Sequence, residues 1–319
     1  MDMLLVLAGL GILLIAGDFL VKGAVSLSLR LGIPALIVSF TIVGFGTSAP
    51  ELLIAVQSAL EGAPGIALGN VVGSNIANVL LVLGVPALFF TLDTRRCDTK
   101  RTYIQMIAAS LVFTALCFLG PLYIWHGIIL LALLAAMLGD AFHSARKARR
   151  CVNIDSVTSE ELSELEDADP NMAIWKVAAY MIAGIIGLPF GADILIEGAL
   201  GIAQDRGVSE EVVGLTIVAI GTSLPELATT VVAALRRQAD VALGNVIGSN
   251  MFNLLAIMGI ASFFGPLEVA PRFLTGDLWL MLASSLALAL FVFFRLQLSR
   301  IWGFIYLTAY VVYILAMLH

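Results

Sequence analysis

The stretch TIVGFGTSAPELLIAVQSAL at Thr41–Leu60, continued by ALGNVVGSNIANVLLVLG at Ala67–Gly84, returns as TIVAIGTSLPELATTVVAAL at Thr216–Leu235 and ALGNVIGSNMFNLLAIMG at Ala242–Gly259. The offset is 175 residues without a gap, so Glu51 pairs with Glu226, Gly69 with Gly244, Asn75 with Asn250 and Asn78 with Asn253. The echo extends upstream, where AGDFLVKGA (Ala16–Ala24) aligns with GADILIEGA (Gly191–Ala199). Each copy sets one glutamate in an otherwise apolar stretch rich in Gly, Ser, Thr, Asn and Pro, which is the pattern of an ion pathway through a membrane. Helix packing alone requires neither two acids nor a proline one residue before each.

Working outward, 60% of the chain is apolar and only 13% charged, with a mean hydropathy of +1.02. Soluble domains carry about a quarter charged residues, so the solvent of this chain is a lipid bilayer. Apolar runs long enough to cross it are expected near 3–30, 34–60, 64–91, 102–120, 122–143, 173–203, 209–235, 239–265, 276–295 and 300–318. The predicted fold class is therefore an all-α polytopic membrane protein of about ten transmembrane helices. Basic residues fall in alternate loops: Arg30, then Arg95, Arg96, Lys100 and Arg101, then Arg146, Lys147, Arg149 and Arg150, then Arg236 and Arg237, then Arg295 and Arg300. Arg206 and Arg272 alone occupy the other side. The positive-inside rule places the basic loops in the cytoplasm and both termini outside a cytoplasmic membrane. Met1-Asp2-Met3 lacks a basic start, so the first span reads as retained.

Between Ser144 and Asn171 the chain turns polar, first basic and then acidic. That divides it into a first five-helix repeat (1–143), a cytoplasmic linker (144–172) and a second repeat (173–319). The linker has no EF-hand order and no central glycine. Cys97, Cys117 and Cys151 form no CxxC pair, and His126, His143 and His319 are scattered, which disfavours zinc. Nothing calls for a cofactor, a nucleic acid or an obligate protein partner; the expected partners are the bilayer and small ions.

Five spans separate the two glutamates, and because five is odd the second half enters the membrane upside down. The halves form an inverted repeat that meets near the midplane. Pro50 and Pro225 break or kink their helices, and the carbonyls so freed, around Gly44–Thr47 and Ala219–Thr222, must line an interior cavity. Ser74 and Asn78, like Ser249 and Asn253, are four residues apart and share a helix face. With Glu51, Glu226, Thr47, Ser48, Thr222 and Ser223 they make a pocket of hard oxygen donors, suited to Ca²⁺ and Na⁺ and poorly to soft metals. Two carboxylates are neutralised equally by one Ca²⁺ or two Na⁺, the electrostatic basis of exchange. Buried carboxyls can also carry protons, so a Ca²⁺/H⁺ antiporter is the alternative, and a cation channel could use the same acids. Ser48 and Ser223 have no His or Lys base within the repeat, which argues against an enzyme. Asp18 and Lys22, one turn apart, read as an ion pair; their mates Asp193 and Glu197 have no such local partner.

At GTSAPEL with ALGNVVGSNIAN, and again at GTSLPEL with ALGNVIGSNMFN, the chain resembles the cation/calcium exchanger superfamily, and within it the short bacterial sodium/calcium antiporters. The resemblance covers nearly the whole length. It implies a secondary antiporter of two five-helix halves, in which the first and sixth helices slide across the rest to alternate access. Carried over by position, it implies central ligands at Glu51 and Glu226, supporting oxygens at Thr47, Ser48, Ser74, Asn78, Thr222, Ser223, Ser249 and Asn253, and backbone carbonyls at Gly44 and Ala219. Several members place an aspartate where this chain has Asn253, and the family links that acid to potassium co-transport. Its absence here argues against potassium dependence.

Overall fold

The computed structural model describes residues 2–97, 99–151, 172–205 and 221–318. Most of the linker, Ala219 and the first half of the span expected at 209–235 lie outside the described residues. Eleven helical segments follow in order: α1 (Asp2–Leu31), α2 (Ala35–Thr47), α3 (Ala49–Leu60), α4 (Pro64–Phe89), α5 (Lys100–Phe118), α6 (Ile124–Cys151), α7 (Ile174–Asp205), α8 (Leu224–Leu235), α9 (Ala239–Ala261), α10 (Phe273–Phe293) and α11 (Arg300–Leu318). Eight of these are long and apolar enough to cross a membrane, and α2 with α3 makes a ninth span bent by 44°. The fold is all-α; among the described residues nine of the ten expected spans are present, with α6 continuing past residue 143 to Cys151, and of the span expected at 209–235 only Leu224–Leu235 is described.

Burial ranks the helices. The apolar window of α9 is wholly buried and that of its repeat mate α4 is 78% buried, whereas α11 is 17% buried and faces lipid. The duplicated GNxxGSN helices are thus the axis of the bundle, and glycine is what lets neighbours reach it. A Cβ on Gly248 would lie 2.3 Å from the Phe40 carbonyl oxygen, and one on Gly44 2.9 Å from the Ser249 amide nitrogen. The α2 backbone therefore rests directly on α9 of the other repeat, and Ser39 Oγ donates to the Val241 carbonyl at 2.7 Å.

The repeat is written in the backbone as well as in the sequence. Bends fall at Ser48 (φ −86°, ψ 8°) and Ser223 (φ −90°, ψ 4°), and π-helical turns run over Asn78–Val82 and Asn253–Ile257. Helices α3 and α8 end in the same Schellman cap: Ala63 N–H donates to Ser58 O at 2.8 Å, as Gln238 N–H does to Ala233 O. Two antiparallel bridges, Leu92 with Leu298 and Leu122 with Leu267, clip loops at opposite ends of α5. The 175-residue offset carries each bridge onto the other to within one residue, as an inverted two-fold axis requires.

Left-handed backbone follows the same rule. Gly62 (φ 69°) and Gly120 (φ 123°) have as mates Arg237 (φ 55°) and Arg295 (φ 53°), the two non-glycine residues with positive φ among the described residues. The cap geometry is retained on both faces, while the face bearing the basic loops replaces glycine with arginine at the steric cost of a left-handed L-residue. Arg237→Gly and Arg295→Gly are each expected to stabilise the folded protein by about 0.5–1 kcal/mol, seen as a higher thermal midpoint in detergent. A lowered midpoint would show that the arginine side chains contribute more than the cap costs.

Candidate ion-binding site

The break at Ser48 decides the site. Pro50 stands in the first turn of α3, where its missing N–H costs nothing, and Glu51 follows it in that turn. Pro225 and Glu226 open α8 in the same way. Each carboxylate thereby lies at the positive end of a helix, while the carbonyl end of α2 at Gly44–Thr47 ends against the same region. Both glutamates are wholly buried.

Hydroxyls of the first repeat reach across to the second. Ser48 Oγ donates to Glu226 Oε1 at 3.3 Å. Thr47 Oγ1 and Ser249 Oγ lie 3.2 Å apart, and Ser249 Oγ donates to the Gly44 carbonyl at 3.3 Å. The structure thus joins Gly44, Thr47 and Ser48 of the first repeat to Glu226 and Ser249 of the second. The rest of the expected set is differently placed. Glu51 Oε1 and Oε2, Glu226 Oε2, Ser223 Oγ and both amide atoms of Asn78 and Asn253 are buried without a hydrogen-bond partner among the described residues. Ser74 is buried and Thr222 half-buried.

So many buried polar atoms without a partner is not a tolerable resting arrangement for a protein interior, where nearly every buried polar atom is paired. Carboxylate, amide, hydroxyl and carbonyl oxygens in that density fit a hard cation. Among the described residues no three His, Cys, Asp or Glu side chains converge, so the two glutamates carry the charge of the site.

Residues 1–139 and 176–319 match the family model described as sodium/calcium exchanger protein. The chain belongs to that family. The sodium/calcium exchanger MaX1 of Methanosarcina acetivorans is 30% identical to it over 345 residues, covering 100% of this chain and 99% of that protein. The inner membrane protein YrbG of Escherichia coli is 34% identical over 288 residues, covering 90% and 87%. The solved structure of the sodium-calcium exchanger NCX_Mj soaked with zero Na⁺ and Ca²⁺ superposes with a TM-score of 0.81 at 27% identity, covering 99% of this chain and 98% of that one. This exchanger is accordingly a multi-pass membrane transporter, an antiporter of Ca²⁺ and another cation.

Two residues of the exchanger's site escaped the sequence reading. Asn245 Nδ2 donates to the Glu226 carbonyl at 3.4 Å and to Thr230 Oγ1 at 3.2 Å, while its Oδ1 accepts from Thr47 Oγ1 at 3.3 Å. Its mate Asn70 donates to the Glu51 carbonyl at 3.5 Å. The signal was present, since both asparagines follow the repeated glycine in ALGN; hydropathy simply gave them no role. Asn245→Ala strands buried groups on two helices, so a loss of about 1–3 kcal/mol is expected, against a smaller one for Asn70→Ala. Equal losses in thermal unfolding would mean that the contacts to Thr47 and Thr230 contribute nothing.

Proposed function

We propose that the exchanger moves Ca²⁺ against Na⁺ across the cytoplasmic membrane, binding both in turn between Glu51 and Glu226. The supporting observation is the composition of the site: two carboxylates for charge, with Asn78, Asn253, Ser74, Ser223, Ser249, Thr47, Ser48, Thr222 and the carbonyls of Gly44 and Ala219 as neutral oxygens. A proton carrier needs the carboxyls alone; a desolvated Na⁺ or Ca²⁺ needs the neutral oxygens too, which is why Na⁺ is favoured over H⁺ as the counter-ion. One Ca²⁺ or two Na⁺ neutralise the pair, and an empty site keeps two unscreened charges in low dielectric, which opposes its crossing unloaded. The physiological direction proposed is Ca²⁺ export on the inward Na⁺ gradient.

Alternating access is assigned to α1 and α7. They pack against each other through close small-residue contacts, as where a Cβ on Gly191 would lie 2.9 Å from Ile12 Cγ2 and one on Gly187 2.9 Å from Ala16 Cβ. They share an apolar cluster around Leu13, Leu20, Val177 and Leu188, to which Val38 and Val43 of α2 and Ala228 of α8 also belong, while Val21 and Val25 tie α1 to the main core. The halves are taken as 1–143 and 173–319 joined by a linker at 144–172, with both termini outside.

Glu51→Gln and Glu226→Gln each remove one of the two charges a divalent ion requires, and Ca²⁺ uptake into proteoliposomes is expected to fall roughly a hundredfold or more. Uptake at the parent's rate by either variant would sink the ligand assignment. An outward-directed Na⁺ gradient is expected to drive uptake and a pH gradient without Na⁺ is not; the reverse result makes the protein a Ca²⁺/H⁺ antiporter. A cysteine at the exposed Glu268 is expected to react with an impermeant thiol reagent from outside the cell only.

A further inference from the structure

Asp18 lies inside α1, yet each of its oxygens meets a cation. Arg236 Nε donates to Oδ1 at 2.6 Å and the guanidinium Nη2 shares that oxygen, while Lys22 Nζ is 3.4 Å from Oδ2. All three side chains are less than a third exposed. Arg236 caps the C-terminus of α8, so the pair ties α1 to the helix that carries Glu226. Beside it the two backbones close up: a Cβ on Gly17 would lie 3.3 Å from both the Ala228 carbonyl oxygen and Val232 Cγ2.

The inverted repeat supplies a control within the same chain. The mates of Asp18, Lys22 and Arg236 are Asp193, Glu197 and Glu61, so two cations and an anion on the face of the basic loops become three acids on the other. Packing follows the charges. Ala228 is 7% and Val232 4% exposed under α1, whereas their mates Leu53, at 72%, and Gln57 stand open. No seam comparable to that of α1 with α8 joins α7 to α3 among the described residues. Asp193 and Glu197 are exposed, and Glu61 accepts instead from Gln57 of its own helix at 2.8 Å.

We infer that Asp18 and Arg236 form a latch that holds the α1–α8 seam shut on the face of the basic loops, and that the acidic mates Glu61, Asp193 and Glu197 deny the opposite seam an equivalent hold. The two gates of this exchanger are therefore unequal by sequence, and without ions it rests closed toward the face of the basic loops and open toward the other. The inference rests on the antiport reading, in which α1 moves past α8 once per cycle and must break this pair.

The test uses the full chain with Cys97, Cys117 and Cys151 replaced by alanine, purified in detergent, with the labelling rate of Val232→Cys by a bulky maleimide as the readout. Asp18→Asn and Arg236→Gln are each expected to raise that rate about fivefold, the size expected of a partly exposed ion pair. The exchanged pair Asp18→Arg with Arg236→Asp restores slow labelling, which a mere folding defect would not. On the other seam, Glu61→Arg supplies the missing cation for Asp193 and slows labelling of Leu53→Cys. Unchanged rates in both single variants, or no slowing with Glu61→Arg, overturn the latch. Ca²⁺ uptake by the parent in vesicles tests the antiport reading separately: its absence alongside an intact labelling difference removes that reading and leaves the latch.

Discussion

Two carboxylates wholly buried in the bundle govern this structure. A charge moved from water into a helical bundle costs several kcal/mol even after the surroundings relax. Nearly every local irregularity eases that cost. The helices break so that positive ends face the acids, prolines occupy turns where an N–H is not needed, and glycines in α9 bring the α2 backbone close enough for Gly44 to meet Ser249. Neither half does this alone, because the hydroxyl on Glu226 comes from Ser48 of the other repeat. Assembly of the site and docking of the two halves are one event.

Duplication gave the protein its symmetry, and charge then broke it. The caps of α3 and α8 share hydrogen bonds and torsions, yet one carries Glu61-Gly62 and the other Arg236-Arg237. An inverted repeat must present the same fold to two different solutions, and the substitutions that tell the faces apart sit at the helix ends and along α1 and α7. The core of α4 and α9, by contrast, remains nearly interchangeable.

Much of this was legible in the residues. The odd number of spans between the glutamates foretold the inversion, and the repeats contain the Gly44, Thr47, Ser48, Glu226 and Ser249 that hydrogen bonds join across the two halves. The Asp18–Lys22 pair is present as expected. What the sequence could not yield were contacts fixed by three-dimensional approach: the second partner of Asp18 lies 218 residues away, and the roles of Asn70 and Asn245 depend on how closely α4 and α9 approach the Glu51 and Glu226 carbonyls of the neighbouring helix. Interfacial anchoring is the ordinary role of a tryptophan near a span end. Trp125 and Trp175 stand exposed at helix starts, but Trp302 packs edge-on against Phe291, since a ring near a span end is free to turn inward.

The π-helical turns at Asn78–Val82 and Asn253–Ile257 have a consequence for how α4 and α9 can serve two neighbours at once. One extra residue in a turn shifts the angular phase of everything after it by about 100°. Upstream of the turn, α4 keeps Ser74 and Asn75 buried inside the bundle; downstream, Gly84 comes up against Tyr306 and Leu307 of α11. A regular helix would have to meet both demands with one unbroken stripe. The wide turn works as a phase adjuster that lets the packing of the two halves of the helix vary independently, and deleting one residue between Val79 and Val82 would keep every polar side chain of the helix while aiming half of it the wrong way.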